Sequence, residues 1–444
     1  MRQSESQPVS RAGDLSAALE LFQQLLDPQL LHQWQPTRHN AVYTTAVVVW
    51  LLVYQRLHPA ASLQAAVAQF LSDADAVSTN KRVRERRLSA NTGAYSQARS
   101  RLQLAVAEKS ADHVFTTLTA NHPSPAERRT FVLDGTTLTL APREELSRRW
   151  PPASNQHGDG VWPIGHLVLA CELTSGRMIR PEVGAKYGED PDAEVALALR
   201  LLPRIPPHSL LMADRNFGVF GFAYYAVQAG HDILTRLSAP RFHALQKNAQ
   251  ALGPGRWTLT WTPTRHNRTT HPELPADAAV TAYLYEVTGR KGQTLWVVST
   301  LDLTLTAVAD LYLRRWEVET DIRSWKTTLG CDSLRSQSVE MVLKEVAMAA
   351  LAYNLVVEVR RLAAERATIP PKRISFAGVW TLVTITLFQQ PDRTAEQWQH
   401  DFDWVLRGAA QRKLPHRPGR QYPRQVLPRR RKFPVRPRKN KPNE

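Results

Sequence analysis

The sequence predicts a mixed α/β domain preceded by an all-helical N-terminal region, and three observations lead to that class. Apolar residues recur at helical spacing over roughly residues 14 to 128. From Arg129 the pattern changes to short strand-like runs punctuated by Gly, Asn and Thr-Ser-Gly. Beyond them helix and strand patterns alternate, the signature of a mixed sheet clothed in helices. With 444 residues, 43% of them hydrophobic, the chain has material for two or three domains.

The N-terminal helices are "DLSAALELFQQLL", with Asp14 in a capping position, "NAVYTTAVVVWLLVYQRL" and "SLQAAVAQFLSD". A basic cluster of Lys81, Arg82, Arg84, Arg86 and Arg87 follows, ahead of another helix from about Tyr95. It reads either as a loop and helix that touch nucleic acid or as an ordinary solvated face. Within "RTFVLDGTTLTL" an apolar strand meets Asp-Gly, which by composition predicts a hairpin or tight turn. "HLVLACEL" and "RMIRPEV" repeat the strand–turn–strand pattern, and "DPDAEVALALRLL" is a helix with acidic residues at its start. "SLLMADR", "GFAYYAVQAG" and "DILTRL" then read as strand, helix and strand. Strand signals return in "RWTLTWTP", "AVTAYLYEV" and "TLWVVSTL". The expected organisation is helical over 1–128, α/β over 129–239, a β-rich insertion over 240–301, α/β again over 302–406, and a tail over 407–444.

Composition removes several functional classes. The run "AVYTTAVVVWLLVYQ" falls short of the ~18 apolar residues that read as a membrane span, so no membrane role is expected. The polar start "MRQSESQPVSRAGDLS" predicts no secretory leader. Cys171 and Cys331 lack ligand spacing, which argues against a zinc site or disulfide scaffold and suits a cytoplasmic setting. Of the formal +17 charge, +13 belongs to 407–444, where fourteen Lys or Arg face one Glu. That Pro-rich arm has no helical or strand period and suits a polyphosphate partner, DNA or RNA.

The segment "YLRRWEVETDIRSWK" carries the densest chemistry. At about 100° per residue, Tyr312, Arg315, Glu319, Arg323 and Lys326 fall within an arc of about 80° on one helix. Leu311, Val318, Ile322, Trp325 and Leu329 form the adjoining apolar stripe. Charges at such spacing also make solvated ion-pair ladders. A ladder, however, needs neither a Tyr nor a lone carboxylate held among cations beside Trp. Two further acids, Asp134 in "FVLDGTTL" and Asp214 in "LLMADRNF", stand where short buried strands end. Singly, such an Asp serves as a turn former or helix cap. With Glu319 they make a trio suited to two Mg²⁺ ions, because hard cations prefer carboxylate oxygens. Such a pair can serve the attacking and leaving oxygens of a phosphodiester.

"DGTTL", "ADRNF" and "YLRRWEVETDIRSWK" together resemble the catalytic blocks of DDE transposases of bacterial insertion sequences. Tyr312, Arg315, Glu319 and Lys326 match the Tyr-Arg-Glu-Lys spacing of the branch called family four. The resemblance implies a ribonuclease-H-like catalytic domain with a β-rich insertion, and Asp134, Asp214 and Glu319 as catalytic metal ligands for two Mg²⁺, with Mn²⁺ as substitute. It further implies that Arg315, Arg323 and Lys326 neutralise DNA phosphates and that Tyr312 binds a phosphate near the 5′ end of the cut strand. "NTGAYSQARSRL", including Arg99, is similar to the family's N-terminal helical block and so is expected at DNA. Trp296 occupies the place of a base-stacking Trp, though a core strand Trp fits equally. The implied activity is cut-and-paste transposition at terminal inverted repeats on double-stranded DNA, in a homodimeric synaptic complex at the bacterial nucleoid. A nuclease without strand transfer and a DNA-binding protein that no longer cuts remain the rivals.

Overall fold

The structure, a computed structural model, describes residues 23–38, 40–77, 80–85, 87–122, 128–155, 158–289, 292–386 and 394–415. The Asp14 cap, Arg86 and the basic arm beyond residue 415 lie outside the described residues. The described residues form two compact units, one of those up to Leu118 with those from Leu351 onward and one of 119–350. The stretch 302–406, read from sequence as one portion, is thereby divided within the helix Val339–Arg366. Periodicity could not have located that division, because both halves of this helix carry buried apolar residues.

In the first unit the described elements are helical. Thr45–Leu57 is almost wholly buried, and its start is capped by Thr44 Oγ1, which accepts from Val47 N at 3.3 Å. Its polar exceptions are paired: Tyr95 Oη donates to Gln55 Oε1 at 2.9 Å, both residues being buried. Trp380 Nε1, from the helix Phe376–Thr386, donates to Leu57 O at 2.8 Å. An indole reaching a helix's unsatisfied last-turn carbonyl both fills space and removes an orphan acceptor.

The second unit is built on a ten-stranded sheet among the described residues. Strand β1 is Thr130–Thr139, β2 Pro152–Asn155, β3 Gly158–Glu172, β4 Met178–Ala185, β5 Leu210–Ala213, β6 Asp232–Arg236, β7 Gln250–Gly253, β8 Arg256–Trp261, β9 Val280–Thr288 and β10 Thr294–Ser299. β4 pairs with β3 and β3 with β1, both antiparallel; β5 then joins β1 and β6 joins β5, both parallel. Three antiparallel strands extended by two parallel ones make the ribonuclease-H-like arrangement that the sequence led us to expect. β5, "LLMA", is buried at every residue, as a strand covered on both faces must be. Gly176 takes φ 82° in the turn between β3 and β4, a conformation that costs a residue without Cβ little.

The strands expected as an insertion continue this same sheet. β10 runs antiparallel to β6, and β9, β8 and β7 follow outward.

Two local expectations are corrected. Asp-Gly does not turn the chain: β1 runs straight through it, paired with β3 from Phe131↔Glu172 to Thr139↔Ile164. Continuous cross-strand pairing outweighs the turn preference of the dipeptide. Nor is the charged segment one regular helix. It passes from α-helix Leu305–Leu313 through a 3₁₀ turn Arg314–Trp316 to α-helix Glu317–Arg323 and a π-helical turn Ser324–Thr328. The tight turn and the wide turn err in opposite directions, so the apolar stripe survives: Val318, Ile322, Trp325 and Leu329 are all buried.

Candidate active site

The site lies where the parallel pairing of β1, β5 and β6 gives out, on the side where open α/β sheets commonly bind ligands. Asp134 stands in mid-strand because β1 runs on to Thr139, while Asp214 follows the end of β5. The last β1–β5 pair is Val132↔Met212, and Asp134 and Asp214 follow two residues later on each side. The last β5–β6 pair is Ala213↔Thr235, so Asp214 and Arg236 follow it by one residue. Strand register alone therefore lines up Asp134, Asp214 and Arg236 across the sheet end. Asp134 Oδ1 accepts from Gly135 N at 3.1 Å, and Asp214 Oδ1 from Asn216 N at 2.8 Å.

Alternation along β1 turns Asp134 and Thr136 to one face and Gly135 and Thr137 to the other. Lys326 Nζ docks on this strand, donating to Thr136 Oγ1 at 3.1 Å and Thr137 O at 2.8 Å. The segment after it is tied down too: Thr139 N donates to Asp332 O, and Leu334 N to Thr139 O.

The electrostatics at Asp134 record what surrounds it. Its carboxyl is raised to about 6 in all: burial is the first cause, Arg315 pulls against it, and the charges of Asp214 and Glu319 add to the rise. Asp214 and Glu319 are thus each near enough for their charge to be felt at Asp134, with Arg315 as counter-ion. Glu319 is exposed, while Asp134 and Asp214 are half-buried. Among the described residues no three His, Cys, Asp or Glu stand close enough to hold a metal ion. The donor chemistry suits a hard divalent cation; as they stand, the side chains are gathered around Asp134 but not closed into a cage.

Beside the acids lies a cavity of about 370 Å³, lined by Asp214 together with Arg215, Arg236, Arg315, Tyr312 and Trp316. Arg315 is buried, and its guanidinium stacks 4.5 Å from the centre of the Trp316 ring, which is itself 54% exposed. Tyr312 is buried, and its phenol is pushed up to about 12, first by burial and against the pull of Arg315 and Arg236. It therefore stays a hydrogen-bond donor at neutral pH.

The remaining expected residues fall elsewhere. Arg323 is exposed on the helix Glu317–Arg323. Leu295 lines the cavity, so its strand neighbour Trp296 points to the opposite face, where it meets Phe242 at 6.3 Å and His243 at 5.8 Å between ring centroids. Trp296 therefore stands as a packing residue of the sheet, and Trp316 is the indole at the cavity. Arg99 belongs to the other unit, in the helix Gly93–Arg101, with its guanidinium 5.7 Å from the ring centre of Tyr95.

The sequence reading missed Arg215, Arg236, Trp316 and Glu194. Arg215 and Trp316 sit beside predicted residues. Arg236 ends "DILTR" as Asp214 follows "LLMA", a parallel the strand pattern held. Glu194 looked like one more acid at a helix start; in fact it accepts from Asn216 Nδ2 at 3.0 Å and lies against Gly135.

A ribonuclease-H-like sheet with clustered acids at its parallel strand ends and cations around them defines a phosphodiester-processing enzyme of the nuclease and strand-transferase class. A family model described as the transposase DDE domain matches residues 125–355, and the chain belongs to that family of DNA-cleaving and strand-transferring transposases. It is 26% identical over 333 residues to the transposase InsG for insertion sequence element IS4 of Escherichia coli K12, covering 72% of each chain. That relative agrees with the family-four branch expected from the Tyr-Arg-Glu-Lys spacing. A solved structure, the piggyBac transposase synaptic complex with hairpin DNA, shares 12% identity at a TM-score of 0.43 over 93% of this chain and 90% of that one. No helix among the described residues is long and apolar enough to cross a membrane.

Proposed function

We propose that this transposase excises its element by cut and paste, with Asp134, Asp214 and Glu319 as the carboxylates that hold two Mg²⁺, or Mn²⁺ in their place. The supporting observation is geometric: the β1–β5 register sets Asp134 and Asp214 side by side where the pairing ends, and Glu319 is near enough for its charge, like that of Asp214, to raise the Asp134 carboxyl. Carboxylates drawn to one place are stabilised by a divalent ion between them. When bound, two such ions supply Lewis acidity at the attacking and leaving oxygens of the scissile phosphate.

The chain's own groups do the rest. Arg215, Arg236 and Arg315 line the cavity beside Asp214, and guanidinium forks suit phosphate oxygens. Tyr312, kept neutral, donates to a phosphate oxygen rather than repelling it. Lys326, docked on β1 beside the acids, adds positive charge near the cut. Arg323, exposed at the end of the helix Glu317–Arg323, contacts the DNA backbone further out. In this reading each terminal inverted repeat is nicked with water as nucleophile, and the freed 3′-OH then attacks the opposite strand and the target. The helical region 1–128, with Arg99, together with the basic arm, binds the repeats. Two ends require two active sites, so the working complex is a homodimer on DNA, in the bacterial cytoplasm.

The test is excision from a plasmid carrying the flanking repeats. Cleavage in Mg²⁺, its loss in chelator, and its loss in Glu319→Gln are expected; wild-type cleavage by Glu319→Gln defeats the assignment. Supplying pre-cleaved ends with target DNA separates a transposase, which joins them, from a nuclease, which does not.

A further inference from the structure

Asp134 and Asp214 are held in the same manner, each by a backbone N–H of a residue just downstream: Gly135 for the first and Asn216 for the second. One side chain touches both of those downstream residues. Glu194, the first residue of the helix Glu194–Leu201, accepts from Asn216 Nδ2 through Oε2 at 3.0 Å. Its Oε1 lies so close to Gly135 that a Cβ there would collide with it. We infer that Glu194 is a positioning residue that sets the separation of the two aspartate-bearing segments by bridging Gly135 and Asn216.

Three features carry this inference. Gly135 faces away from Asp134 along β1, so Glu194 lies on the opposite face from Asp134 and supports the acids from behind. Its carboxylate is itself fixed: His166, buried on β3, sets Nε2 3.4 Å from Glu194 Oε1 and points Nδ1 at Asp192 O, 2.9 Å away. Lys186 Nζ stands 3.4 Å from the same His166 nitrogen. Its carboxyl is also held below the usual range, first by the His166 hydrogen bond and further by Asn216 and Lys186, so Glu194 is ionised at neutral pH and a strong acceptor. Finally, the β1–β5 ladder aligns the two aspartates but stops two residues short of both, so no backbone hydrogen bond between these strands ties the aspartates themselves together. The bridge supplies what the ladder omits.

The proposal rests on the reading of Asp134 and Asp214 as metal ligands, and its test separates the two. Mn²⁺ binding to the full-length, metal-free protein is measured by titration calorimetry. Glu194→Ala and Asn216→Ala are each expected to weaken Mn²⁺ by about 10–100-fold, the usual cost of removing a partner that orients a ligand. Glu194→Gln keeps an oxygen for Asn216 and recovers most of the affinity. The double Ala variant is no weaker than the weaker single variant, because both substitutions break one link. Wild-type affinity in both single Ala variants, or losses that multiply in the double, overturns the bridge. Asn216 is exposed, so its variant carries the test even where Glu194→Ala fails to fold. Asp214→Asn serves as the control. If it abolishes binding while the Ala variants do not, only the bridge fails; if it binds as wild type, the metal-site reading fails with it.

Discussion

Lys326 Nζ and Thr137 O lie 2.8 Å apart although 189 positions separate them in the chain. This bond fastens the segment that carries Glu319 to the strand that carries Asp134. An ammonium on a backbone carbonyl is worth about 1.5–3 kcal/mol, more than a neutral bond of the same length. The bond also sets Lys326 beside Asp134, since Thr136, its second partner, shares that residue's face.

Lys326→Met keeps the stem and removes both bonds and the charge. Cleavage of terminal-repeat DNA should fall by about 10–100-fold, the rate equivalent of that bond energy. Single-turnover cleavage at saturating DNA checks it, and an unchanged rate refutes the docking role.

The metal-free protein should carry a pH signature of Asp134. Its folded carboxyl lies at about 6 against a usual 3.8, so the native state binds this proton more tightly than the unfolded chain. The resulting stabilisation is complete below the unfolded value and is lost as pH rises through the folded one. A shift of this size is worth on the order of 2–3 kcal/mol. In chelator, Asp134→Asn should therefore raise the midpoint of thermal unfolding at about pH 8 and give no gain at about pH 4. Equal gains at both values count against a raised Asp134 carboxyl, whose first cause is burial.

The cavity arginines should appear in the salt dependence of DNA binding. Arg215→Ala and Arg236→Ala each remove one guanidinium from the lining. Each should reduce the slope of log affinity on log salt by about 1, with little effect on sequence preference. Binding isotherms across a salt series give the slope directly.

Trp316 and Trp296 should separate cleanly. Trp316→Ala removes an exposed ring that stacks with Arg315, and should weaken binding of ends with an unpaired base by about 1–3 kcal/mol. Trp296→Ala removes a ring held between the sheet and Phe242, and should lower thermal stability with little change in binding by the folded fraction. The reverse pattern reassigns the base-contacting role to Trp296.

The sequence by itself determined the class of the sheet, and it singled out as candidates the three acids and the cations spaced along the last of their segments. Those features are local: strand runs, helical spacing and residue chemistry are written in neighbouring letters. It also held, unread, the equivalence of Asp214 and Arg236 as residues at the ends of parallel strands. Tertiary structure alone decided the rest. Pairing with β3 along its whole length carried β1 straight through Asp-Gly, and strand alternation turned Trp296 away from the cavity that Trp316 enters. Glu194 became a neighbour of Gly135 and Asn216 only once β1, β5 and the helix between them were packed. Such contacts depend on register and on which faces meet, and those are settled by the packing of distant segments, which no local pattern encodes.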